Sequence, residues 1–151
     1  MGTVIRAELS TKNKYYIDKH RHYELKHFCL QYPKWKKVYL ECLDCGAPLA
    51  SIDGIHRYTG QYDPVAARAV MRVHYAQKIH LLEKVARDAD KYLWHYILRA
   101  VTEGLSYTYL RTRLDIPCGR DMYYDRYRKF FWLLSEERDK SAHFTSAIME
   151  N

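Results

Sequence analysis

A chain of 151 residues holds one ordinary domain with a real core, or two small subdomains, but not two full domains. Its 25 Lys and Arg against 18 Asp and Glu leave a formal charge of +7, which favours polyanionic partners such as nucleic acid. No run approaches the ~18 apolar residues of a membrane span. Residues 1–14 lack the apolar core of a secretory signal. The four cysteines (Cys29, Cys42, Cys45 and Cys118) are unevenly spaced and read as reduced thiols of a cytoplasm. Fifteen tyrosines, each an apolar ring with a polar tip, suit core margins, protein interfaces and phosphate contacts.

Residues 1–13 are polar and without period. From Lys14 to Tyr32 the spacing predicts a helix with Tyr16, Tyr23, Phe28 and Leu30 inward and Ile17 and Leu25 between, stopping before Pro33. A second short helix, Lys34 to Leu43, sets Trp35, Val38, Tyr39 and Cys42 on one side. Gly46, Pro48, Gly54 and Gly60 then mark a loop or linker. Asp63-Pro64 opens a long helix reaching about Asp88, with Ala66, Ala69, Val73, Ala76, Leu82 and Ala86 as its stripe. Its small residues admit a close neighbour, within the chain or as a homodimer. Asp90 to Glu103 is a further helix, with Leu93, Tyr96, Ile97, Ala100 and Val101 inward, stopped by Gly104. Ser106 caps Tyr107 to Leu114, Asp115 to Gly119 turn, and a last helix runs from Arg120 to about Arg138, before a weakly patterned tail. The fold is thus expected to be all-α. Its segments are an N-terminal helical pair (1–45), a loop or linker (46–63), a central helix plus C-terminal helix-turn-helix (64–140) and a tail (141–151).

The last two helices carry the functional signal, because a short helix, a turn and a basic, aromatic helix can place the second helix in a DNA major groove. On a 100° wheel Tyr123, Tyr127, Phe130 and Leu134 share one arc, with Phe131 beside it, and that arc faces the core. Leu110, Leu114 and Ile116 close the small core. Arg120, Asp121, Tyr124 and Asp125 then form the tip that meets base edges, arginine reading guanine and aspartate accepting from cytosine. Arg126, Arg128 and Lys129, with Arg111 and Arg113, hold phosphates. Three points oppose this: Asp121 and Asp125 repel phosphate, Asp125 and Lys129 stand at ion-pair spacing, and Trp132 on an outward face suits a protein contact.

Reaction chemistry finds no comparable pattern. Cys42 and Cys45 have metal spacing, but a structural zinc takes two such pairs, and His20, His22, His27 and Cys29 lie at different helical phases. His74, His80 and His95 are scattered. No nucleophile motif, phosphate loop or HExxH occurs, so the expectation is no enzyme, no metal and no cofactor.

The run YLRTRLDIPCGRDMYYDRYRKFFWLL (residues 109–134) resembles the C-terminal region of RinA/ArpU-type phage late transcriptional regulators, which is similar to the helix-turn-helix of the fourth conserved region of primary sigma factors. HYELKHFCLQYPKWKKVY (residues 22–39) resembles the openings of related phage proteins. The turn departs from the sigma type in its length and in holding Pro117. The resemblance implies a sequence-specific regulator of a phage operon that binds double-stranded DNA in a bacterial host's cytoplasm and touches RNA polymerase. Its recognition positions would be Arg120, Tyr124, Arg126, Arg128 and Lys129. The rival is a phage-encoded, anti-CRISPR-like inhibitor of a host nucleic-acid-targeting machine, which would use the same surface on a host effector protein or an RNA-protein groove.

Overall fold

A helix leaves its first backbone N–H groups without partners, and here short polar side chains take them up. The computed structural model describes residues 12–44 and 63–149. Those residues form six helices and no strand: α1 (Lys19–Leu30), α2 (Tyr32–Leu43), α3 (Pro64–Ala89), α4 (Trp94–Glu103), α5 (Tyr107–Arg113) and α6 (Arg120–Met149). The protein is therefore all-α over the described residues. Asp18 accepts from the His20 N–H at 2.9 Å ahead of α1. Asp63 accepts from the Val65 N–H at 2.9 Å, with Pro64 supplying the fixed φ that suits a first helical position. Asp90 accepts from the Tyr92 and Leu93 N–H groups at 2.8 and 2.9 Å ahead of α4, and Ser106 accepts from Tyr109 at 3.2 Å on α5.

The chain forms two units, Met1–Leu30 with Leu82–Asn151, and Gln31–Leu81. The boundaries fall at Leu30 and inside α3; the loop or linker expected at 46–63 lies, but for Asp63, outside the described residues. In the first unit α4 packs on α1, α5 and α6, and α1 packs on α6. Its centre is aromatic. Tyr123, Phe130, Phe131 and Leu134 of α6 are almost fully buried, as the wheel requires, and Tyr127 is half-buried beside them. Phe131 meets Tyr127 and His22 edge-on at 4.9 and 4.6 Å, the arrangement that aromatic quadrupoles favour.

In the second unit Trp35, Val38 and Cys42 of α2 are buried. The Lys78 ammonium of α3 stands 5.2 Å over the Trp35 ring.

Three expectations are corrected. Helix α1 starts at Lys19, not Lys14, because Asp18 caps it, and it buries His22, Leu25 and Cys29 while Tyr23 and Leu30 are exposed. His22, Leu25 and Cys29, at spacings of three and four, define the buried face, whereas Tyr23 and Leu30, seven apart, share a side turned about 100° away from it. In α3 only Leu82 and Ala86 of the expected stripe are buried; Ala66, Ala69 and Val73 are exposed. Sixteen residues at ~100° each place Ala66 opposite Leu82, so the stripe joined two sides of one helix. Helix α6 continues through the expected tail to Met149. No Gly or Pro interrupts residues 139–149, and the Ser141 and Thr145 hydroxyls donate back to the carbonyls of Glu137 and Ser141 at 3.0 and 3.1 Å.

Candidate nucleic-acid interface

The α5–α6 turn is fixed by its own polar groups. The Ile116 N–H donates to the Leu110 carbonyl at 3.1 Å, and its side chain is fully buried. The Tyr107 hydroxyl donates to the Cys118 carbonyl at 2.9 Å, and Arg111 Nη1 donates to the Ile116 carbonyl at 3.2 Å. Between them Asp115 takes φ +52°, a left-handed conformation that aspartate tolerates better than most residues. The turn is thus a held shape, and it fixes where α6 begins.

Around it, Arg111, Arg113 and Arg120 are exposed, together with Asp115, Asp121 and Met122. Arg111 and Arg113 also lie in the last turn of α5, where positive charge complements the carbonyl end of the helix. The Arg120 guanidinium lies 5.6 Å from the Tyr124 ring.

The structure moves two of the expected contact residues inward. Tyr124 is only 9% exposed, and its ring meets those of Tyr123 and Tyr127 at 5.0 and 6.2 Å. It lies one position beyond Tyr123, and the Tyr107 ring at 6.1 Å from α5 covers it, so it is a core margin and not a base reader. Arg126 is engaged within the protein: its Nε donates to Asp90 at 3.1 Å and its Nη1 to Asp125 at 3.3 Å. Asp125 therefore pairs with its neighbour and not with Lys129. Of the other expected contact residues, Arg111, Arg113 and Arg120 at the turn are exposed, and Arg128 and Lys129 further along α6 are half-buried.

Asp90 is the residue that sequence reasoning missed. Burial would raise its pKa, but the N–H groups of Leu93 and Tyr92 and then the Arg126 guanidinium outweigh that and hold it below the usual carboxylate range. Its capping role was visible in the sequence; its partner 36 positions away was not.

Burial pushes the Cys29 and Cys42 thiols up, and burial followed by the nearby Asp90 carboxylate does the same to Cys118. These three are therefore protonated, weak nucleophiles at neutral pH. Among the described residues no group of three or more His, Cys, Asp or Glu is placed to hold a metal; Cys45 lies outside them. Among the same residues no helix is long and apolar enough to cross a membrane.

No family model matches the chain, and neither the curated proteins nor the solved structures contain a significant match to it.

Proposed function

We propose that the protein binds double-stranded DNA through the α5–α6 hairpin, as a sequence-specific regulator of phage type acting beside RNA polymerase in a bacterial host. The observation that carries this reading is the exposure of Arg111, Arg113 and Arg120 around a turn whose backbone is already satisfied from within. Those arginines supply phosphate contacts, which position a protein without reading sequence. Reading falls to the exposed start of α6: Arg120 for guanine, Asp121 for cytosine N4 and the Met122 side chain for a thymine methyl. The burial of Tyr124 and the pairing of Arg126 remove both from the recognition set.

A second reading, an inhibitor that binds a host nucleic-acid-targeting protein, is favoured by the far end of α6. Phe144, Ile148 and Met149 are exposed there, and apolar side chains suit a protein and not phosphate. Duplex affinity over a salt series separates the two. The regulator binds at low salt, weakens steeply with added salt and prefers one sequence. No duplex binding at low salt, with tight binding to a host effector, selects the inhibitor.

A further inference from the structure

Arg120, Tyr124 and Arg128 follow one another at intervals of four along α6, on one side of the helix. Eight residues of helix span about 12 Å, so Tyr124 lies between Arg120 and Arg128 within the reach of long side chains. The Arg120 guanidinium already lies 5.6 Å from the Tyr124 ring.

Among the described arginines of this unit, Arg111, Arg113, Arg120 and Arg128 hold no carboxylate, and of these four Arg128 alone is half-buried and not exposed. Arg21, Arg87, Arg99, Arg126 and Arg138 each hold a carboxylate oxygen. Arg128 holds none among the described residues, and its Nε is buried with no hydrogen-bond acceptor. A buried charged donor without a partner is destabilising, and its persistence calls for an acceptor supplied from outside. The nearest carboxylate in sequence, Asp125, is held by Arg126.

Resting on the duplex-binding reading above, we propose that Arg120, Tyr124 and Arg128 form a seat for one backbone phosphate. A phosphodiester offers only acceptors. It takes N–H groups from two planar guanidiniums and the O–H of a tyrosine, and the Arg128 side chain turns outward from its shielded position so that its Nε gains the partner it lacks. The seat also gives Tyr124 a role after its removal from the base-reading set: it works from the margin of the core, on the backbone.

The test follows the arginine Nε–Hε NMR signals of the full chain while inorganic phosphate is added against sodium chloride at matched ionic strength. The Arg128 and Arg120 signals move and saturate with phosphate, and the Arg113 signal does not saturate. Arg128→Gln abolishes saturation, and it leaves the thermal midpoint unchanged or higher, because an unpaired buried charge is removed. With duplex DNA, Arg128→Gln makes the slope of log affinity against log salt shallower by about one. An Arg128 signal indifferent to phosphate overturns the seat, as does a variant with the parent's slope while the parent binds duplex. If phosphate saturates Arg128 but the parent binds no duplex at low salt, the seat stands for free phosphate and the duplex reading falls.

Discussion

Arg126 and Arg128 are two residues apart on α6, and of the two only Arg126 holds a carboxylate among the described residues. Arg126 stands against a side chain that is itself only 10% exposed, Asp90, so the pair is shielded from water on one side. Arg126→Ala leaves that carboxylate without its cation, and we expect a loss of about 1–3 kcal/mol in a urea titration, the usual result when one partner of a partly buried pair is removed. Arg113→Ala, at an exposed position, stays within about 0.5 kcal/mol of the parent. Equal losses in the two variants would show that the Asp90 contact is not structural. His22 supplies a second residue-scale prediction. Burial, then the positive charge of Lys26, lowers its pKa to about 4 from 6.5. The folded state therefore prefers neutral imidazole. That stability is complete above pH 6.5 and is lost as pH falls from there toward 4, because the unfolded chain takes up the proton first. At about 1.4 kcal/mol per pKa unit the loss is roughly 3 kcal/mol. His22→Phe, which keeps a ring against Phe131, should flatten the dependence of the urea midpoint between pH 6.5 and 4.5; an unchanged acid slope refutes the assignment.

At the scale of helices, the signals that survived into the structure are those with a local mechanism. Asp63-Pro64, Ser106 and Gly104 mark helix ends by hydrogen bonds and backbone conformations that span a few residues, and each end is where its signal stands. The inner face of α6 was also legible, since Tyr123, Phe130 and Leu134 repeat at helical spacing in an unbroken run. What was illegible depended on distant partners. Tyr124 is covered by Tyr107 of another helix, Arg126 is taken by Asp90, and the face of α1 was fixed by Leu25 and Cys29 in a segment with little amphipathic pattern. Two variants test the helices. Phe130 is fully buried, and Phe130→Ala should destabilise by about 3–5 kcal/mol through lost burial and a residual cavity. Gly104 sits at φ +69°, with its N–H donating to the Ala100 carbonyl. A Cβ there would meet Leu30 at an ordinary 3.8 Å, so the penalty of Gly104→Ala is conformational, about 1–2 kcal/mol. A negligible loss at Phe130 in denaturant would mean that α6 presents a different side to the core.

For the molecule as a whole, the positive surplus is spread. Residues 31–81 hold seven Lys and Arg against four Asp and Glu, a surplus of +3, and the remaining residues supply the other +4 of the net +7. The hairpin is therefore no concentrated positive patch; Arg111, Arg113 and Arg120 stand beside Asp115 and Asp121. This limits how many phosphates it can neutralise, and the limit is measurable. Each neutralised phosphate contributes a slope of about −0.9 to log affinity against log salt on duplex DNA. If Arg111, Arg113, Arg120 and Arg128 each meet one phosphate, the slope is about −3.6. Replacing Arg113 and Arg120 together by Ala then makes it shallower by about two, for matched and mismatched sequences alike where the contact is to phosphate. Arg120 adds a sequence-dependent loss if it also reads guanine, so its single variant should relax preference at one position while Arg113→Ala should not. A parent slope of −6 or steeper would mean that cations beyond these four meet phosphate. A flat salt response would show that no phosphate is neutralised, and would transfer the hairpin and the exposed end of α6 to a protein partner.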